Sequence, residues 1–223
     1  MDGNGRWAEQ RGKERYYGHL QGVESVRAVI RAAMRNGVGV LTLYAFSTEN
    51  WGRPAKEVEA LMDILCRSIA AETPELCKQG VKVRILGDRK PFSPRVLEHL
   101  ERIETETVAG ERLTLQLALN YSSRSEITAA VRSLAAKVAE GSLLPEQIDE
   151  STLSDALYTA GSPDPDLVIR TSGECRLSNF LLWQASYAEL YFTEVLWPDF
   201  GEREFDMAIE AYARRERRFG LVK

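Results

Sequence analysis

Three short polar segments carry side chains suited to holding a phosphate ester. The first is Met1-Asp2-Gly3-Asn4-Gly5-Arg6-Trp7. Its two glycines let the backbone turn tightly, so that amide N–H groups can converge on an anion. Arg6, Arg15 and His19 follow and add cationic side chains. A helix starting nearby would add its positive end. Asp2 is an acid beside that anion site, which suits Mg2+ held between a carboxylate and phosphate oxygens. A plain surface turn has the same composition, and a single histidine such as His19 is more often structural than functional. The segment is not a Walker A loop, because no Gly-Lys-Ser/Thr follows.

The second segment is Ser47-Thr48-Glu49-Asn50-Trp51-Gly52-Arg53-Pro54, directly after the apolar run Leu41–Phe46. Ligands of parallel α/β sheets bind beyond the carboxyl ends of the strands. A loop dense in hydrogen-bonding groups at that place can close over a substrate. It also reads as the N-terminal cap of the helix behind it, with Pro54 near the first turn. The third segment, Ile169–Phe180, again follows an apolar run and holds Arg170, Arg176 and Ser178. Two guanidinium forks and a hydroxyl suit the several faces of one diphosphate. Salt bridges to Glu174 or Glu189 are the competing use of these arginines. A fourth cluster, Arg214-Arg215-Glu216-Arg217-Arg218, taken alone reads as a solvated basic helix end that complements the macrodipole.

The elements that must position these segments follow from periodicity. Five near-continuous apolar runs, at 39–46, 81–87, 113–120, 166–171 and 190–195, read as strands covered on both faces. Helical patterns at 23–35, 57–78, 94–108, 125–139 and 204–218 lie between them. Alternation of this kind predicts an α/β fold with a central, mainly parallel sheet flanked by helices. No linker, repeat or low-complexity stretch divides the chain, so residues 1–223 read as a single domain.

Composition narrows the function classes. A net charge of −4 gives no overall field for nucleic acid. Cys66, Cys77 and Cys175 are odd in number and form no Cys-x-x-Cys pair, which fits a reducing, cytoplasmic setting. No run of about 18 apolar residues spans a bilayer, and a lipid substrate would be met from the aqueous side. Membrane contact is at most peripheral. A nucleotide-binding α/β protein is disfavoured, since both the Walker A and Gly-x-Gly-x-x-Gly patterns are missing.

Taken together the motifs resemble the cis-prenyltransferase family. The matching stretches are Met1–Ala8, Gly18-His19, Leu41–Pro54, Leu119–Tyr121, Asp166–Gln184, Tyr187–Phe200 and Arg215–Gly220, spread along essentially the whole chain. The closest likeness is to its bacterial members that make long polyprenyl chains. The resemblance implies Mg2+-dependent, sequential condensation of isopentenyl diphosphate with farnesyl diphosphate, giving a C55-type lipid carrier precursor for cell-wall polymers. It implies a cytoplasmic homodimer, and that Asp2 holds the metal with Glu189 as a second carboxylate. Gly3, Asn4, Gly5, Arg6, Arg15 and His19 would cradle the allylic diphosphate, with Trp7 packed beside them. Asn50 would take part in proton removal, while Ser47, Thr48, Glu49, Trp51 and Arg53 would line the closing loop. Arg170, Arg176, Leu177 and Ser178 would form the isopentenyl diphosphate site. Arg217, Arg218 and Gly220 would reach a partner subunit's site.

The hydrocarbon product calls for an apolar tunnel beneath the sheet, since burial of each methylene is favourable by about 0.8 kcal/mol. Candidate lining residues are Ala45, Met62, Ile64, Leu65, Ile69, Leu113 and Leu117, all of which would also serve as plain core. The Asp-Asp-x-x-Asp motifs of trans-type enzymes are missing. Departures from the family pattern stand out: no strand precedes Asp2, Ser122-Ser123 follows Asn120-Tyr121 and Ser172 precedes Gly173 where relatives often carry glycine, and Cys175 stands where histidine is common. A non-catalytic partner subunit is the alternative from another class. Such relatives tend to lose the aspartate, the loop asparagine and the arginines, which here remain as Asp2, Asn50, Arg170 and Arg176.

Overall fold

The computed structural model describes residues 1–215. All five apolar runs form strands: β1 (Val40–Ser47), β2 (Val81–Leu86), β3 (Leu113–Tyr121), β4 (Leu167–Arg170) and β5 (Glu189–Phe192). The helices are α1 (Asn4–Glu9), α2 (Arg15–Arg35), α3 (Ala55–Gln79), α4 (Pro94–Glu106), α5 (Ser123–Ala139), α6 (Glu150–Ser154) and α7 (Glu202–Ala213). The expected Arg217, Arg218 and Gly220 lie outside the described residues.

The strands pair in parallel throughout, in the order β1-β3-β2 and, separately, β4-β5. Parallel strands need crossover connections, and helices supply them. Register follows the apolar pattern, with Leu43 opposite Leu117 and Val83 opposite Leu115. Leu43, Val83, Leu113, Leu115 and Leu119 join residues of α2, α3 and α4 in one buried cluster. Helix starts are set locally. The Ser93 hydroxyl accepts from the Val96 N–H with Pro94 at the first turn, and the Ser122 hydroxyl accepts from the Ser125 N–H.

Helix α2 begins eight residues before the expected Val23. The stretch ahead of Val23 contains Gly18 and Gly22. In the fold they are contact points. A Cβ on Gly18 would lie 1.9 Å from the Asn4 carbonyl oxygen. Helix α1 therefore rests directly on the backbone of α2, and only glycine allows that approach.

Between the two ladders lies a cavity of about 970 Å³. Every residue from Val38 to Ser47 and from Pro163 to Thr171 lines it. A strand viewed face-on would show only alternate residues, so β1 and β4 each turn an edge toward this space. Helices α2 and α3 supply much of the remaining wall, through Val26, Ile30, Leu61, Leu65 and Ile69. Leu115, Leu117 and Leu119, alternate residues of the central strand β3, line it too, so the apolar space meets one face of that sheet as well as the two edges. Ala45, Met62, Ile64, Leu65, Ile69 and Leu117 line it as expected. Leu113 does not; it is 1% exposed and packed into the core.

Candidate active site

The cavity mouth is built from the first and third polar segments, which are distant in sequence. Gly3 adopts φ +104°, a left-handed conformation, and starts α1. The turn sends Asp2 back against the end of β4. The Asp2 N–H donates to the Thr171 hydroxyl at 2.9 Å, and that hydroxyl donates to the Asp2 carbonyl at 2.8 Å. The Trp197 N–H donates to the same carbonyl at 3.0 Å. Asp2 is thus fixed by backbone bonds before its side chain is considered.

Its carboxylate accepts from the Gly3 N–H at 2.7 Å and from Arg170 Nη2 at 3.1 Å. Burial pushes the carboxyl up, but the bonds from Arg170 and Gly3 and the Arg170 charge outweigh it and hold Asp2 below the usual carboxylate range. Asp2 is therefore ionised at neutral pH. Arg170 is 16% exposed at its side chain and works as a fork: Nη2 meets Asp2, while Nη1 donates to the Ser178 hydroxyl at 2.6 Å and to the Arg176 carbonyl. Its Nε is buried with no partner among the described residues. Arg6 donates to the Ser172 hydroxyl at 2.5 Å and lies 3.7 Å from Glu174. Arg176 pairs with Glu174. The salt-bridge use of Arg176 is realised, and the cationic groups still converge on one mouth. Ser172 has φ +77°, a left-handed conformation that glycine adopts more readily than serine.

A second group of cations sits on α2 and the second segment. Glu57 lies 2.9 Å from Arg53 and 3.7 Å from Arg15, drawing the two arginines together. His19 lies among them. Burial and the positive charges of Arg53 and Arg15 push its pKa down to about 4, with Glu57 opposing. His19 is therefore a neutral imidazole at pH 7, not the cation the sequence suggested, and its buried Nε2 has no partner among the described residues. The Asn4 Oδ1 is likewise buried and unpartnered there. Both residues line the cavity, although the Asn4 oxygen itself packs against Gly22 of α2.

The second segment folds as a short 3-10 turn over Thr48–Gly52. The Asn50 Oδ1 accepts from the Ser47 N–H at 3.1 Å, and because a backbone N–H can only donate, the Asn50 amide N–H2 points the other way. Trp51 donates to Asn120 Oδ1 at 2.8 Å and packs edge-on against Phe46. Glu49 accepts from Asn179 at 3.2 Å.

Asp2, Gly3, Asn4, Gly5, Arg6, Arg15, His19, Ser47, Asn50, Arg53, Arg170, Arg176, Leu177 and Ser178 all line the one cavity. Trp7, Thr48, Glu49, Trp51 and Glu189 do not. Trp7 is an anchor for α1, donating to Asp199 at 2.7 Å beneath the Arg11 guanidinium. Glu189 stands opposite Leu167 at the far end of the β4-β5 ladder and pairs with Arg215 at 2.6 Å. Four residues of strand, roughly 13 Å at ~3.3 Å each, separate that end from the Thr171 that holds Asp2. The two expected metal ligands therefore do not meet within one chain. Among the described residues no group of three or more His, Cys, Asp or Glu side chains could cage a metal alone. Sequence reasoning named Ser172 only as a departure from the family pattern and gave Thr171, Glu57 and Asn120 no role of their own. Only their fold neighbours reveal what they do.

Known proteins match this architecture. The family model described as "Putative undecaprenyl diphosphate synthase" matches residues 1–220. The chain is 52% identical to a ditrans,polycis-undecaprenyl-diphosphate synthase, (2E,6E)-farnesyl-diphosphate specific, of Pectobacterium atrosepticum, over 99% of this chain and 87% of that one. It is 53% identical to an isoprenyl transferase of Agrobacterium fabrum, over 100% and 90%. Its fold superposes on a lavandulyl diphosphate synthase from Lavandula x intermedia in complex with dimethylallyl diphosphate. The TM-score is 0.96 at 37% identity, over 99% of this chain and 95% of the other. With a family model matched across nearly its whole length and about half its residues shared with such relatives, the chain belongs to the undecaprenyl diphosphate synthase family of prenyltransferases.

Proposed function

We propose that this protein condenses isopentenyl diphosphate, unit by unit, onto farnesyl diphosphate to give a long-chain polyprenyl diphosphate of the undecaprenyl type, a lipid carrier for cell-wall polymers. The observation that carries the reading is the convergence of Asp2, Arg6 and Arg170 at the mouth of an apolar cavity. Its walls carry Val26, Ile30, Leu61, Leu65 and Ile69, and an apolar lining suits a hydrocarbon chain better than a small polar substrate.

In this reading the Gly3–Gly5 backbone with Arg6 and Arg15 binds the allylic diphosphate. Its C–O bond breaks, the electron pair leaves with the diphosphate, and fixed positive groups stabilise the charge that develops. The isopentenyl double bond attacks the allylic carbon, making the new C–C bond. Arg170, Arg176 and Ser178 hold the diphosphate of that five-carbon unit, so its double bond faces the allylic end. A proton then leaves the new cation, and a phosphate oxygen oriented through the Asn50 amide is basic enough to take it. Neutral His19 contributes a hydrogen bond there. The apolar walls draw the lengthening chain inward.

Asp2 fits a magnesium ion: it is ionised, rigidly held and 41% exposed at its side chain. Mg2+ is commonly bound by one or two carboxylates together with substrate phosphates. When bound, the ion would neutralise charge on the departing diphosphate. Glu189 is left to its ion pair with Arg215. The reading includes a homodimer, with Arg217, Arg218 and Gly220 directed at the partner, a cytoplasmic location, and peripheral membrane contact for product release. No helix among the described residues is long and apolar enough to cross a membrane.

The test is direct. Purified protein is given farnesyl diphosphate and labelled isopentenyl diphosphate with Mg2+ or with EDTA. A long polyprenyl diphosphate in the first case and none in the second supports the proposal. A product that stops at twenty carbons, or turnover in EDTA, would replace it.

A further inference from the structure

Asn179 sits beside Ser178 in the third segment, yet nothing above gives it a task. Ser178 and Asn179 have φ +48° and +62°, and Leu181 has φ +47°. Asparagine tolerates this left-handed region; serine and leucine rarely enter it. Something must hold the segment there, and Asn179 makes the bonds that do so.

Its carbonyl oxygen accepts from the Ser123 N–H at 2.8 Å, and its Oδ1 accepts from the Arg124 N–H at 3.0 Å. Its Nδ2 donates to the Ser122 hydroxyl at 2.8 Å and to the Glu49 carboxylate at 3.2 Å. The amide orientation is fixed by these partners, since a backbone N–H only donates and an ionised carboxylate only accepts. The residue thus fastens the Ser178 turn to the start of α5 on one side. On the other it ties that turn to the 3-10 segment that carries Asn50.

We propose that Asn179 is a positioning residue, resting on the function proposed above. Its side chain sets the Ser178 hydroxyl and, through it, Arg170 for the diphosphate of isopentenyl diphosphate, and couples that site to the Glu49–Asn50 loop. Arg170 Nη1 has Ser178 as its side-chain partner at 2.6 Å, so a displaced Ser178 changes where the guanidinium points. Asn179 makes its side-chain hydrogen bonds to Ser122, Arg124 and Glu49, not to the residues of α1 and α2 that would hold the allylic diphosphate, so affinity for that diphosphate should be independent of it.

The test uses Asn179→Gly, which keeps the left-handed backbone and deletes only the side chain, and Asn179→Asp, which keeps Oδ1 and loses the donor. Dissociation constants for isopentenyl diphosphate and farnesyl diphosphate are measured by calorimetry, with KM and kcat alongside. Both variants should bind isopentenyl diphosphate about tenfold more weakly, a loss typical of one or two bonds. Farnesyl diphosphate binding should stay within about twofold. Combining Asn179→Asp with Glu49→Gln restores a donor–acceptor pair with its direction reversed, and should recover most of the lost affinity. A Gly variant equal to the wild type overturns the proposal. So does parallel loss of both substrates with a lowered melting temperature, which marks a merely structural residue. If the wild type binds neither diphosphate, the functional reading itself falls, and the inference with it.

Discussion

Asp2 and Arg170 are 168 residues apart in the chain and 3.1 Å apart in the fold. Their ion pair joins the turn before α1 to the end of β4, and it places a fixed negative and a fixed positive group side by side at one cavity mouth. Neither group is spent on the other. Asp2 remains 41% exposed at its side chain, and Arg170 also holds Ser178 and the Arg176 carbonyl. A pair of this kind is preorganised: it needs no rearrangement when a diphosphate and its counter-ion arrive.

Arg170 works through geometry as much as through charge. Lysine is a point charge on a flexible stem and cannot reach three acceptors in one plane. Arg170→Lys should lower kcat/KM for isopentenyl diphosphate by about 100-fold, comparable to removing one charge-stabilising donor. Steady-state kinetics at saturating farnesyl diphosphate measure this. A loss of twofold or less would mean that charge alone suffices.

The close approach of α1 to α2 is a second point of leverage. In Gly18→Ala the new methyl would meet the Asn4 carbonyl oxygen at 1.9 Å, so α1 must move away. Overpacking of this kind costs about 1–3 kcal/mol, and the shift carries Asn4, Gly5 and Arg6 with it. Urea unfolding should show a lower midpoint, and kcat/KM for the allylic diphosphate should fall more steeply than that for isopentenyl diphosphate.

The five strands and the five longer helices were legible in the chain, though not the short α6, because long apolar runs such as Leu113–Asn120 leave little choice but a buried strand. The polar segments after β1 and β4 were legible for a related reason: parallel strands end where ligands bind. Contacts across the fold were not. Nothing local marks Thr171 as the clamp on Asp2, or Glu57 as the group that gathers Arg15 and Arg53. The first turns of α2 were not legible: they hold Gly18 and Gly22, and a glycine that permits packing looks the same in sequence as one that breaks a helix. The separation of Glu189 from Asp2 depends on which end of β5 the carboxylate occupies, which strand pairing alone decides.

His19 gives a prediction in pH. Burial and the nearby arginines hold it down to about 4, against an ordinary value near 6.5. Between those values the unfolded chain binds a proton that the folded protein does not, so stability falls as pH falls through the window and is fully present above 6.5. Relative to His19→Gln, the wild type should lose about 2 kcal/mol of unfolding free energy between pH 7.5 and 5.0, at ~1.4 kcal/mol per unit. Urea titrations of both proteins at the two pH values check it. Parallel losses would mean that the folded imidazole takes up its proton as readily as the unfolded one.

The most direct measurement is a crystal structure of the protein with Mg2+ and a non-hydrolysable farnesyl thiodiphosphate. The diphosphate is expected against the Gly3–Gly5 backbone and Arg6, with Asp2 on the metal and the hydrocarbon between β1, α2 and α3. A ligand whose tail lies outside that cavity, or whose phosphates sit away from Asp2, would contradict the account.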